Sequence, residues 1–159
     1  MTRLKLFIAL SSLGSLGLVS GVALASTAQA SASNTVISTK QTSLGTILVN
    51  SSGKTLYLDT ADKPPHFACT GACLKAWPAL KAVGTVKAAG AAKAALLGTT
   101  KGPAGKTVTY NGHPLYTFVS DSTSNPTSGE GQHGFYAVSP AGAKVPLPKK
   151  KPTSQAPGY

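Results

Sequence analysis

Beyond residue 44 the apolar positions fall into short runs of β-branched and aromatic residues separated by Gly, Pro, Asn and Ser, the pattern of many short strands. Residues 44–50 and 54–58 flank Ser51-Ser52-Gly53, which predicts a hairpin with Gly53 at positive φ. Pro64-Pro65 closes that stretch, because consecutive prolines donate nothing to a ladder. Residues 107–110 and 113–119 flank Asn111-Gly112, the strongest short hairpin signal in the chain. Residues 135–139 form a last predicted strand, stopped by Pro140. The expected fold is therefore mainly β: a small antiparallel domain of two pseudo-repeated hairpin units joined through a short helical, disulfide-pinned turn. Leu56, Tyr57, Trp77, Leu115, Tyr116, Phe118 and Tyr136 are its expected core.

The segment between the units carries Lys-Ala at 75–76, 81–82, 87–88 and 93–94. On an α-helix a step of six turns the side chain by roughly 240°, so these lysines make no single basic face. The stretch is expected to be a solvated connection, with one short helix over 91–97 ended by Gly98. Residues 99–106 are a predicted turn region, and 121–134 a polar, Gly-rich loop. At the ends, residues 31–43 are Ser, Thr, Ala, Asn and Gln with little to bury and are expected to form a flexible leader; the domain proper spans 44–143. Residues 144–159 hold four prolines and the run Lys149, Lys150, Lys151, which predicts a disordered basic tail.

Residues 1–30 change this picture by placing the chain outside the cytoplasm. Arg3 and Lys5 precede an apolar run over 6–24, and Ala28 and Ala30 supply the small residues that signal peptidase reads, so cleavage is expected near Ala30. No cysteine follows to take a lipid. The mature chain then keeps thirteen lysines and no arginine against Asp59, Asp62, Asp121 and Glu130, a formal charge of +9. Bidentate grips on phosphate use the guanidinium fork; lysine alone gives a diffuse positive field. Nucleic acid is not an expected partner. Anionic cell-wall polymers or a membrane surface are, through the lysines and Lys149, Lys150 and Lys151.

Both cysteines and the only tryptophan lie within ten residues, 69–78. Cys69 and Cys73 face the same way on one helical turn, and export favours a local disulfide, worth about 2 kcal/mol for so short a loop. Trp77 then supplies apolar bulk and Pro78 stops the turn. The alternative is a Cu(I) or Zn(II) site from His66, Cys69 and Cys73, which needs both thiols reduced and a fourth ligand such as His113 or His133. Redox catalysis lacks the βαβ surroundings that usually depress a thiol pKa, and no nucleophile and base stand out for hydrolysis. No catalytic residue and no cofactor is assigned. Asp62 and Asp121 are expected to accept hydrogen bonds from turn backbone at the ends of the strands that carry Tyr57 and Tyr116.

Two stretches match each other: Leu56-Tyr57 and Leu115-Tyr116, each with an aspartate five residues after the tyrosine, at Asp62 and Asp121. With Cys69-x-Gly71-x-Cys73, Trp77-Pro78 and the run from Tyr110-Asn111-Gly112 through Pro114-Leu115-Tyr116, the chain resembles the bacterial secreted repeat of unknown function. That family is often described as lipoproteins with a Tyr-x-(Phe/Trp/Tyr)-x-x-Asp motif. Tyr116, Phe118 and Asp121 fit the motif fully, whereas Asp59 stands where the first copy would have an aromatic residue, and Phe135 where the family often has tryptophan. The resemblance implies export and envelope association and no activity. The expectation is a non-catalytic envelope module, the alternative an extracytoplasmic metal-binding or delivery protein.

Overall fold

The computed structural model describes residues 33–63, 66–103 and 105–147. The expected signal peptide, 1–30, and Lys149, Lys150 and Lys151 of the expected tail lie outside them. The architecture is mainly β: β1 (Thr35–Thr42), β2 (Gly45–Asn50), β3 (Tyr57–Asp59), β4 (Val86–Ala88), β5 (Leu97–Gly102), β6 (Gly105–Tyr110), β7 (His113–Pro114) and β8 (Phe135–Ala137), with one turn of helix, α1 (Cys73–Ala76). They form three small sheets, ordered β2-β1-β4, β3-β8 and β5-β6-β7.

Two hairpins of the same build dominate. β1 pairs antiparallel with β2 from Ile37↔Asn50 to Thr42↔Gly45, and β5 with β6 from Leu97↔Tyr110 to Gly102↔Gly105. After each hairpin a turn delivers a Leu-Tyr dipeptide back onto the second strand: the Leu56 amide donates to Leu48 O and the Leu115 amide to Val108 O, both at 3.0 Å. Strand alternation sends the leucines to one face and the tyrosines to the other. Leu56, Leu58, Leu115, Val108, Val138 and Ile37 fill one apolar cluster; Tyr57, Tyr116, Trp77, Phe135, Ile47 and Ala137 fill a second.

The halves close by exchange. The Leu48 amide donates to Val138 O and the Val138 amide to Leu56 O, so the end of the second half completes the first hairpin. In mirror fashion the Val108 amide donates to Leu80 O and the Leu80 amide to Leu115 O, so the end of the first half completes the second. Midway, Tyr57 and Tyr116 exchange both backbone hydrogen bonds at 2.9 Å. The result is a local two-fold pattern in which neither hairpin has its full set of backbone partners without the other half.

Several expectations need correction. Residues 35–42 are not part of a flexible leader: they are β1, with Ile37 fully buried, because Thr, Val and Ile alternate well on a half-buried strand and β2 satisfies their backbone. The tail does not leave the domain at residue 144, since Lys144 bridges Val138, the Val145 amide donates to Ala137 O at 2.8 Å and Val145 is buried. Most of the predicted turn region 99–106 is strand instead, in the β5–β6 hairpin, whose ladder runs up to the Gly102↔Gly105 pair. The short helix over 91–97 is only a 3-10 turn, Ala94–Leu96; Gly98 lies inside β5 instead of ending a helix. The first predicted hairpin keeps Gly53 at φ 74, yet past the Val49↔Thr55 bridge and the Leu56 amide β3 departs to pair with β8, and β2 takes β1 as its main partner. At Asn111-Gly112 the expected turn is present, with φ 49 and 81. Phe118 and Tyr136 are only half-buried, Tyr136 lying under the Lys144 ammonium at 4.7 Å.

If β1 belongs to the core, Ile37→Ala destabilises the domain by about 3 kcal/mol in urea unfolding, the range for a fully buried aliphatic side chain; a leader residue would shift the midpoint by almost nothing.

Candidate functional site

The matching tyrosines and aspartates meet, but crosswise. The Tyr57 hydroxyl donates to Asp121, 2.9 Å from Oδ2, and the Tyr116 hydroxyl donates to Asp62 Oδ2 at 2.8 Å. Each motif thus supplies the tyrosine of one bond and the aspartate of the other. Asp62 also takes the Ala68 amide at 2.7 Å, which fixes the segment leading to Cys69, and Asp121 takes the Ser128 hydroxyl at 2.8 Å. The expectation that these carboxylates bind turn backbone is met only by the Asp62–Ala68 bond; the phenols went unpredicted because sequence spacing cannot tell a pair within a repeat from one across repeats. Burial, then the neighbouring carboxylate, pushes both phenols upward from the usual tyrosine range, so they remain protonated donors.

Between the two bonds lies an aromatic stack. Trp77 and Phe135 lie face to face, 3.9 Å apart at 4°, and Phe118 covers the indole at 4.2 Å. Tyr57 meets Trp77 edge-on and Tyr116 meets Phe135 edge-on, each at 5.3 Å. Gly129 packs on this group so closely that a Cβ would sit 2.7 Å from the indole. The other motif residues are framework: Tyr110 OH accepts the Lys93 amide and donates to Pro140 O, Asn111 Nδ2 donates to Gly142 O, and Pro114 and Leu115 are buried. Pro78 follows Trp77 and offers its carbonyl to the Thr117 amide.

Cys69 and Cys73 form a disulfide, with Cα atoms 5.3 Å apart and α1 beginning at Cys73. The two sulfurs are bonded to each other, so neither is a thiolate, and His66 is exposed on the adjoining turn. Among the described residues no three His, Cys, Asp or Glu side chains gather as a metal would require. The remaining acids also point inward. Asp59 Oδ1 accepts the Ala61 amide at 2.9 Å and Glu130 Oε2 the Ala137 amide at 2.7 Å, while Glu130 Oε1 is buried with no partner. Desolvation pushes the pKa of both carboxyls up from the ordinary carboxylate range.

A family model for a secreted repeat of unknown function matches residues 38–81 and 98–138, more than half of the chain. The chain belongs to that family. No curated protein and no solved structure matches it. The two matched segments are the two exchanged units, and what joins them, 82–97 with β4, lies outside both matches. As a secreted repeat the protein is extracytoplasmic, and its disulfide accords with that.

Two predictions follow from these bonds. Tyr116→Phe costs about 2–3 kcal/mol in thermal or urea unfolding, because Asp62 is buried and water cannot replace the lost donor; Tyr57→Phe costs about 1 kcal/mol, since Asp121 is half-exposed and keeps Ser128. For Glu130 the folded pKa lies above the unfolded one, so its ionisation removes stability as pH rises through that interval. Glu130→Gln is therefore more stable than the native protein at pH 7, with the gain vanishing below pH of about 4, where both are neutral. Unfolding midpoints measured across pH 3–8 (~0.5-unit steps) check it.

Proposed function

We propose that this secreted repeat is a non-catalytic envelope module, exported through a signal cleaved near Ala30 and held at anionic surface polymers by its lysines. What supports this reading is the division of charge. All ten described lysines, from Lys40 to Lys144, are exposed, while Asp59, Asp62, Asp121 and Glu130 are all turned toward hydroxyls and amides of the fold. The acids leave the lysine field uncompensated at the surface, and Lys149, Lys150 and Lys151 extend it in sequence. Such a field attracts phosphate- or carboxylate-rich polymers without demanding a particular sugar.

The purified mature protein is expected to sediment with isolated envelopes at low ionic strength and to be released at about 0.5 M salt, where the screening length falls to roughly 4 Å. Replacing Lys149, Lys150 and Lys151 by Gln lowers the salt needed for release. Failure to sediment at low salt overturns the reading.

A further inference from the structure

The bond from Tyr57 to Asp121 brings the loop after β7 against the turn after β2, and a cavity of about 300 Å³ lies where they meet. Lys40 of β1, Ser52 and Lys54 of the turn, and Asp121, Ser122 and Thr123 of the loop line it. Both walls are held by the protein's own bonds. Asn50 Oδ1 accepts the Ser52 and Lys54 amides, each at 3.0 Å, and fixes the turn. On the loop side the Thr55 hydroxyl donates to Pro126 O at 2.6 Å; the Ser122 hydroxyl accepts the Asn125 amide, and the Ser122 amide donates to Asn125 O. The cavity is therefore preformed, at the small end of the volumes that take small molecules.

Its charges are held apart. Among the described residues neither Lys40 nor Lys54 forms an ion pair with Asp121, although all three border the same space. Asp121 accepts the Tyr57 and Ser128 hydroxyls, which leaves part of a carboxylate's lone-pair capacity, about four sites, open. Nor does the fold ask for either lysine. The hairpins turn at Thr42↔Gly45 and Gly102↔Gly105, so Lys40 corresponds to Thr100; Lys54 meets Asn50 as His113 meets Tyr110, so Lys54 corresponds to His113. The second copy builds the matching strand and turn with no lysine at either place. Strand and turn bring the two cations and the loop brings a carboxylate and hydroxyls, a division that suits a ligand with an anionic end and a hydroxylated end.

We propose that this cavity binds a phosphorylated polyol, its phosphate between Lys40 and Lys54 and its hydroxyls on Asp121, Ser122 and Thr123. A phosphate offers several acceptor oxygens, and can take two lysines from different elements without the planar match that an arginine fork demands. Asp121 repels a second anion, so the ligand lies one way round. The proposal rests on the envelope reading above and names what in an anionic polymer is gripped, a phosphate with hydroxyls on the neighbouring carbons.

Glycerol phosphate is the probe, titrated into the purified mature protein and followed by amide NMR in about 0.3 M salt, where a screening length of roughly 6 Å weakens the diffuse lysine field. Saturable shifts are expected at the Gly53, Lys54, Ser122 and Thr123 amides, with a Kd of about 5 mM, the affinity that about ten heavy atoms reach at low efficiency. Inorganic phosphate, which lacks the hydroxyls, should bind about tenfold more weakly. Lys40→Gln and Lys54→Gln, both at exposed positions, should each weaken glycerol phosphate about tenfold, whereas Lys101→Gln, the same loss of charge on β5, should leave it unchanged. The proposal is overturned if glycerol phosphate does not saturate by about 30 mM or inorganic phosphate binds as tightly. It is equally overturned if Lys101→Gln weakens binding as much as the cavity variants, the mark of a diffuse field alone. Sedimentation at low salt without saturation here retains the envelope reading and removes the site; saturation without sedimentation retains the site and removes polymer tethering.

Discussion

A buried phenol needs an acceptor, and in this fold each of the two motif tyrosines finds its acceptor only in the other repeat. Tyr57 and Tyr116 already share their backbone hydrogen bonds, so their side chains leave the centre of the domain in related directions and reach Asp121 and Asp62. Removing one partner strands a polar group away from water, a larger loss than the bond itself contributes. The exchange of Val138 and Leu80 between hairpins imposes the same obligation on the backbone. A single unit would expose its Leu-Tyr face, an unpaired strand edge and an unsatisfied tyrosine together, which is a physical reason for the motif to occur in pairs within one chain.

That obligation also shapes the surface. With only four acids in the chain, using every one inside the fold leaves nothing to neutralise the lysines. The Tyr–Asp bonds and the basic exterior are thus two sides of one allocation of charge. In a more acidic chain the same crossed bonds could exist under a balanced surface; here the scarcity of carboxylates makes the exterior positive as a consequence of how the interior is held.

How much of this could be read beforehand depended on whether the signal was local. Asn111-Gly112 specifies its turn through its own backbone preferences, and the alternation in Leu56-Tyr57-Leu58 specifies which side chains share a face; both were legible. The Cys69–Cys73 pair was legible for the same reason, four residues apart and near a helical turn. β1 was hidden by its composition: a Ser/Thr-rich strand resembles a disordered segment until a partner is known, and only Ile37 marks its inner face. The crossed tyrosine bonds and the Trp77–Phe135 stack span about sixty residues, and a pseudo-repeat predicts the pairs within each copy as readily as those between copies. The position of Asp59 was visible as a departure from its copy, but its meaning needed the stack to be seen.

Where two copies of a unit carry the same residue, folding alone explains it, because both positions answer the same packing demand. Leu56 with Leu115, Tyr57 with Tyr116 and Asp62 with Asp121 belong to that class. Where the copies differ, the fold has shown through its other half that a second residue type suffices, and the choice calls for another reason. One such difference stands in the stack itself: Asp59 lies across from Phe135, where its counterpart Phe118 covers Trp77. Aspartate there incurs desolvation, but its Oδ1 takes the Ala61 amide at the end of β3, a bond that phenylalanine could not make. The first copy thus uses this motif position to fix a turn, and the second to cover the indole.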